Sequence, residues 1–293
     1  MNSLTEIKSI SLKTINQDYI TTFNNLNLNI NGVVLGDGLG SHFLAEKGAE
    51  ICVKELKFLL ENFKESKINY EDLFEKVLKK LKKKADSISE IKKAKSKENI
   101  LGTTLICVIE YPNKFVIAYV GNGSIWQIRG NFTHFSSQRY LPWSSINLLN
   151  PHTIDENGKE ALYKYFSLNS TEENIRPTII EVSKDNQMFG DIFIISTDGL
   201  FSPDQTPVAK DKEGGLWISG ETKMSMLYET LQGFLKNCST SKLGDELDGF
   251  CNKLIENKLI DDDTSFGVII TQQVINYHNL LNENNTDNDF FIN

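Results

Sequence analysis

Several things are scarce in this 293-residue chain, and each shortage removes a class of protein. Its four cysteines, Cys52, Cys107, Cys238 and Cys251, are far apart, with no C-x-x-C pair and no histidine at a zinc-ligand spacing. That pattern excludes a disulfide framework and a cysteine-based zinc module, and leaves free thiols packed as small apolar groups. No run approaches 18 consecutive apolar residues, and the first twenty residues lack both an apolar core and a small-residue cleavage site. Neither a spanning helix nor a secretory signal is expected, so the sequence reads as a cytoplasmic protein with no membrane partner. Positive charge is also in deficit: 31 Lys plus Arg stand against 39 Asp plus Glu, a net charge of −8. General nucleic-acid binding needs an excess of clustered cations and is not expected. The local exception is a lysine-rich stretch from Lys79 to Lys97. It reads as a solvated helix face, with an interaction surface as the alternative.

What is present is an ordinary globular composition, 40% apolar. A chain this long buries roughly three quarters of the surface its unfolded form exposes, so its stability requires no staple. Short strand-like runs open it at Ile7 to Leu12, Tyr19 to Phe23 and Asn31 to Gly36, read together as one early sheet. Helical periodicity follows from Phe43 to Leu60 and from Tyr70 to Ala94. Strands return at Thr103 to Glu110, Phe115 to Val120, Ser124 to Arg129 and Phe132 to Phe135, separated by Gly, Pro and Asn turns in the manner of a meander. Residues 136–176 carry no clear period and are expected to form a flap-like insertion. Thr178 to Ser183 and Asp191 to Thr197 read as strands, Lys223 to Leu235 and Leu243 to Asn257 as a second helix pair, and Ser265 to Thr271 as the last strand. A domain over 1–275 and a frayed polar tail over 276–293 complete the expected layout. This order breaks βαβ alternation, so the expectation is an α+β fold of two antiparallel sheets flanked by helices.

Aspartates recur where these strands begin or end: Asp18, Asp37, Asp198 and the run Asp261 to Asp263. One Asp-Gly pair is ordinarily a turn. Several apolar strands all ending in Asp are a different matter, because converging carboxylates repel and shift one another's pKa unless a cation neutralises them. An all-oxygen set without Cys or His favours Mg²⁺ or Mn²⁺ over zinc.

Six ordered blocks carry a family resemblance: Asn16-Gln17-Asp18; Gly36-Asp37-Gly38-Leu39-Gly40-Ser41-His42 with Ala45-Glu46; Gly102-Thr103-Thr104-Leu105; Tyr119-Val120-Gly121-Asn122-Gly123; Ser196-Thr197-Asp198-Gly199-Leu200-Phe201; and Asp262-Asp263-Thr264-Ser265-Phe266. Together they resemble the metal-dependent protein phosphatases of the PP2C type (PPM family). The resemblance implies an αββα sandwich and a cleft holding two Mn²⁺ or Mg²⁺ ions roughly 4 Å apart, which activate a water for attack on phosphoserine or phosphothreonine. A phosphorylated protein, opposed to a Ser/Thr kinase, would be the substrate. By the same resemblance Asp37 bridges both ions, the Gly38 carbonyl is a ligand of the second, and Asp198 and Asp262 complete the first. Asp18 resembles the acid that helps position the attacking water.

The chain also departs from the family pattern. Lys13 stands where an Arg often grips the phosphate, giving a point charge in place of a bidentate fork. Gln17 replaces an acid, and Gly121-Asn122-Gly123-Ser124 replaces Gly-Asp-Ser-Arg. Asn99 and Ser202 fall at positions that help hold a weak third metal, with Glu98 and Asp204 as nearby anions. A filled third site is therefore not expected. His42 reads as a surface loop histidine. The alternative to an enzyme is a degenerate phosphatase fold that binds phosphoproteins without turnover; the presence of Asp37, Asp198 and Asp262 argues for the enzyme.

Overall fold

The computed structural model describes residues 3–65, 67–94, 98–130, 145–156, 160–201, 208–210 and 216–288. Two five-stranded antiparallel sheets lie face to face. The first contains β1 (Leu4–Ile10), β14 (Thr264–Ile270), β11 (Ile192–Ser196), β6 (Ser124–Ile128) and β7 (Ser145–Asn147), in that spatial order. The second runs β10 (Thr178–Ser183), β5 (Lys114–Val120), β4 (Leu105–Glu110), β3 (Ile30–Gly36) and β2 (Tyr19–Asn25). Two small hairpins, β8 (Thr153–Asp155) with β9 (Glu160–Leu162) and β12 (Val208–Lys210) with β13 (Leu216–Ile218), stand apart from them. Helices α1 (Ala45–Glu61) and α2 (Tyr70–Ala85), followed by the short α3 (Ser89–Lys93), cover the second sheet. The first sheet is covered by α4 (Ser219–Lys236) and α5 (Leu243–Glu256), with α6 (Gln272–Asn288) against α4. This is the expected αββα sandwich.

Strand parity builds its layers. Along a strand successive side chains point to opposite faces, so a strand covered on both faces must be apolar at every position. In β4, Leu105, Cys107 and Ile109 face the helices while Ile106 and Val108 enter the space between sheets. The same alternation sends Val116, Ala118 and Val120 of β5 outward to the helices and Phe115, Ile117 and Tyr119 inward. From the opposing sheet come Phe193, Ile195 and Ile269, with the Phe193 and Phe115 rings 4.3 Å apart.

Several expectations need correction. The opening strands do not form one sheet: β1 pairs with β14, whereas β2 pairs with β3. The meander likewise splits, because β5 ends at a glycine turn that lets β6 cross to the other sheet and pair with β11. The helix expected to continue to Ala94 stops at Ala85, where the Ser87 hydroxyl donates to the Lys84 carbonyl and Ile88 turns extended before α3. The first part of the lysine run thus lies on α2, where Lys82, Lys83 and Lys84 in the last turn complement the helix dipole; Lys92 and Lys93 belong to α3, and Lys95 and Lys97 lie outside the described residues. The segment over 136–176 is more regular than expected where described: β7 extends the first sheet, and Leu149, Phe166 and Ile175 are buried. The expected strand Phe132 to Phe135 lies outside the described residues. The polar tail is largely helix α6. Val274 and His278, one turn apart, are buried; Asn279 accepts from the Cys238 thiol, and the Asn282 amide donates to the Leu235 carbonyl. Asn279 and Asn282 thus bond to the body, and the asparagine-rich composition hid the period. Among the described residues no helix is long and apolar enough to cross a membrane.

Phe193 fills the middle of the inter-sheet layer with no exposed surface. Phe193→Ala should lower the free energy of unfolding by about 3–5 kcal/mol, read by urea denaturation, because the two sheets cannot both close on the void.

Candidate functional site

Antiparallel register decides where the acids meet. Tyr19 pairs with Gly36, Leu105 with Val120, Ile10 with Thr264, and Ser196 with both Phe266 and Ser124. The N-terminal ends of β2, β4, β6 and β14 and the C-terminal ends of β1, β3, β5 and β11 therefore share one end of the sandwich. A cleft of about 540 Å³ opens there, with Lys13, Asp37, Gly38, Asp198, Asp262 and Asp263 in its walls.

Asp37 leaves β3 on a backbone fixed from both sides. Its N–H donates to the Thr104 hydroxyl at 3.0 Å, and its carbonyl accepts from the Thr103 hydroxyl at 2.9 Å and the Thr104 N–H at 2.8 Å. Gly38 follows, donating its N–H to the Gln17 carbonyl at 3.1 Å. Asp198 leaves β11 in the opposing sheet and accepts from the Asn122 amide at 3.1 Å. The loop before β14 meets the Asp198 turn so closely that a Cβ on Gly199 would stand 1.9 Å from the Asp263 carbonyl oxygen. Glycine is required at that crossing. Lys223, only 3% exposed, secures the same pair of loops by donating to the Gly199 carbonyl at 2.8 Å and to Asp261 at 2.5 Å.

The electrostatics follow from this convergence. Asp37 lies well above the ordinary carboxylate range, first because of burial and then because of the charges of Asp198 and Asp18. Asp198 is raised by burial too, although bonds from Asp37 and Asn122 oppose the shift. Asp37 and Asp198 converge from the two sheets into the same cleft, an arrangement that calls for a proton or a cation between them. Asp18 is pushed to about 7 by burial, against the Thr197 hydroxyl that donates to it at 3.0 Å. Its other oxygen, Oδ1, is buried with no protein partner. Lys13 bonds Asp262 and reaches Asp263 at 3.5 Å. Partial burial pulls Lys13 down, but the bond and charge of Asp262, then of Asp263, leave it above its usual value.

All six expected site residues, Lys13, Asp18, Asp37, Gly38, Asp198 and Asp262, come together at this end of the sandwich; Asp18 sits just behind the cleft wall. Three further contributors were given no role from the sequence, although Asp263 and Thr197 lie in its ordered blocks. Asp263 is 4% exposed and accepts from Ser11, from the Gln17 N–H at 3.0 Å and from Lys13, pinning the first loop. Thr197 orients Asp18 and accepts from the Ser265 N–H at 3.1 Å. Lys223 is the third, and a lysine at a helix start carries no sequence signal for such a role. His42 is not the surface histidine expected: it is 8% exposed, edge-on to Tyr165, and burial lowers its pKa. Asn99 sits in the cleft wall with φ 51°, its carbonyl accepting from the Phe43 N–H at 2.8 Å. Ser202 and Asp204 lie outside the described residues.

Among the described residues, no three His, Cys, Asp or Glu side chains form a ready-made metal cluster. The residues nonetheless suit a hydrated Mg²⁺ or Mn²⁺, which keeps several waters and takes only one or two carboxylates directly. The oxygen-only donors, the Asp37 and Asp198 carboxylates converging in the cleft and the unpartnered Asp18 oxygen all fit such an ion.

The sequence matches the family described as Protein phosphatase 2C over residues 8–236, and the chain belongs to that family. By family and by fold it is a member of the PPM-type phosphatases. No curated protein matches it at the level of sequence. Among solved structures it resembles a bacterial serine phosphatase at 18% identity, with TM-score 0.61 and 92% of this chain and 98% of that one covered. The serine/threonine phosphatase Stp1 from Staphylococcus aureus aligns at 18% identity and TM-score 0.59, covering 92% and 95%. Mycobacterium tuberculosis serine/threonine phosphatase PstP/Ppp aligns at 12% and 0.57, covering 92% and 99%. At these identities the likeness is one of fold.

The raised acids generate a stability prediction. An acid whose folded pKa exceeds its unfolded value holds more protons when folded, so its stabilising contribution is complete below pH 4 and is lost as pH rises through 7. In chelator, the protein should gain about 1–3 kcal/mol as pH falls from 8 to 5. Asp18→Asn should flatten that slope, and urea titrations at the two pH values measure both.

Proposed function

We propose that the chain is a Mn²⁺- or Mg²⁺-dependent phosphatase of phosphoserine and phosphothreonine in proteins, using two ions in the cleft. The observation that carries this reading is the meeting of Asp37 from one sheet with Asp198 and Asp262 from the other. Asp37, Asp198, Asp262 and the Gly38 carbonyl would hold the ions. When bound, the ions would lower the pKa of an attacking water and stabilise the attacking and departing oxygens of an in-line displacement. The chain then needs no nucleophile of its own.

The remaining roles belong to protein groups. Asp18, held by Thr197 and with one buried oxygen left without a protein partner, would orient the attacking water as hydrogen-bond acceptor. Lys13 already lies on Asp262, with 47% of its side chain exposed, so its ammonium can exchange a carboxylate for a substrate phosphate. Asn122 holds the Asp198 carboxylate in orientation. A binding module without turnover is the weaker reading, since loss of activity would relax the demand for all three acids and all three are present. A third ion is not expected, because Asn99 supplies no anion to offset a divalent ion's dehydration.

The test is hydrolysis of p-nitrophenyl phosphate and of phosphoserine peptides with Mn²⁺, Mg²⁺ or chelator. Activity should require an added ion; full turnover after exhaustive chelation would refute the two-ion reading. Asp37→Asn should reduce kcat by at least a thousandfold while leaving the circular dichroism of the fold intact. Lys13→Ala should raise KM about tenfold and change kcat less than threefold, because a point charge on the phosphate contributes mainly to binding. A kcat effect at unchanged KM would instead give Lys13 a role in the transition state.

A further inference from the structure

His152 has no part in the chemistry above, yet it is 5% exposed and uses every polar atom it owns. Its backbone N–H donates to the Gly121 carbonyl at 3.1 Å, and its Nδ1 accepts from the Gly121 N–H at 3.0 Å. One residue thus grips both sides of a single glycine. Because Nδ1 accepts, the ring proton sits on Nε2, which donates to the Thr178 hydroxyl at 2.8 Å. The His152 carbonyl accepts from the Tyr163 N–H at 3.0 Å, and the ring stacks on Tyr119 at 5.1 Å. These contacts leave the imidazole one tautomer and one orientation.

Gly121 is the first residue of the turn through which the chain crosses from one sheet to the other. It has φ 110°, and a Cβ there would meet the Thr104 side chain at 2.5 Å. A glycine in so open a conformation holds its place through outside partners. The next residue is Asn122, 4% exposed, whose amide donates to Asp198. On the far side of the turn the Ser124 and Ser196 hydroxyls join at 2.8 Å.

We infer that His152 is a positioning residue for Asp198: by clamping Gly121 it fixes the Asn122 amide that orients the carboxylate, and so sets the affinity of the cleft for a divalent ion. This rests on the phosphatase reading and deepens it. Partners one shell beyond a metal ligand typically alter affinity ten- to a hundredfold when removed. The clamp acts through one atom, which makes it separable from general packing. Asn at 152 can place its oxygen where Nδ1 lies and keep the Gly121 bond, whereas Gln places its amide near Nε2, keeping Thr178 and losing Gly121.

The experiment uses the full chain and Mn²⁺ as the probe, with affinity from titration calorimetry, free Mn²⁺ from its paramagnetic resonance signal, and thermal midpoints of each variant in chelator. His152→Gln should weaken Mn²⁺ binding about tenfold and His152→Asn less than threefold. Asn122→Ala should weaken it about tenfold or more, and the double variant His152→Gln with Asn122→Ala no further than Asn122→Ala alone, since both act along one path. A merely structural histidine would lower the thermal midpoint and leave affinity unmoved. The inference is overturned if His152→Gln binds within twofold of wild type, if the two losses multiply, or if His152→Asn loses as much as His152→Gln. Should His152→Gln not fold, His152→Asn decides: a tenfold loss there overturns the clamp, and retained affinity supports it. A wild-type chain that binds no Mn²⁺ refutes the phosphatase reading and this inference together; a wild-type chain that binds it, with indifferent variants, refutes only the inference.

Discussion

Mutual repulsion among aspartates at one end of the sandwich is the constraint around which the rest is arranged. Asp18, Asp37 and Asp198 are all raised by burial first and then by the charges of neighbouring aspartates. An arrangement of this kind costs stability, and it persists only if the scaffold leaves the side chains nowhere else to go. The scaffold does so with backbone bonds. Thr103 and Thr104 hold Asp37 by its main chain, and the Gly199 crossing fixes the Asp198 turn against the loop of Asp262. The three apolar layers supply the rigidity behind those bonds, with every buried strand filled on both faces.

Charge compensation is assembled from protein cations as well. Lys13 covers the exposed Asp262, and Lys223, almost wholly enclosed, serves Asp261 and the Gly199 carbonyl. A buried ammonium is costly without an acceptor and a carboxylate at hand, and here both are supplied by the loops that carry the acids. The lysine therefore reports how tightly those loops must be held.

Much of the fold could be read from the sequence because its signals are local. Continuous apolar runs such as Ile192 to Ile195 gave the buried strands, and the 3.6-residue period of α1, α2 and α5 gave the helices. Which sheet a strand joins could not be read, since β5 and β6 are separated by three residues in either topology and only the conformation of Gly121 decides. Helix α6 was missed because asparagine is a weak helix former, and its face is specified by tertiary bonds to α4. At the site, residue type and strand-end position found the acids. The roles of Asp263, Thr197, Lys223 and His152 escaped because they lie in what the side chains touch across 24 to 252 residues of chain, and spacing along the sequence does not encode such contacts. His42 was misplaced for the same reason: its cover comes from Tyr165, far along the chain.

The allocation of acids between sheets has a mechanical side. Asp198 and Asp262 stand on neighbouring strands of one sheet and are locked to each other by the Gly199 crossing, whereas Asp37 stands on the sheet opposite. The seam of the sandwich passes between them, filled in its middle by apolar contact and crossed toward its ends by a few bonds, such as those from Thr197 to Asp18 and from Arg129 to the Ser183 carbonyl. A divalent ion gripped by both sides would act as a rivet through that seam, adding a directional link at the end where the apolar middle layer supplies none.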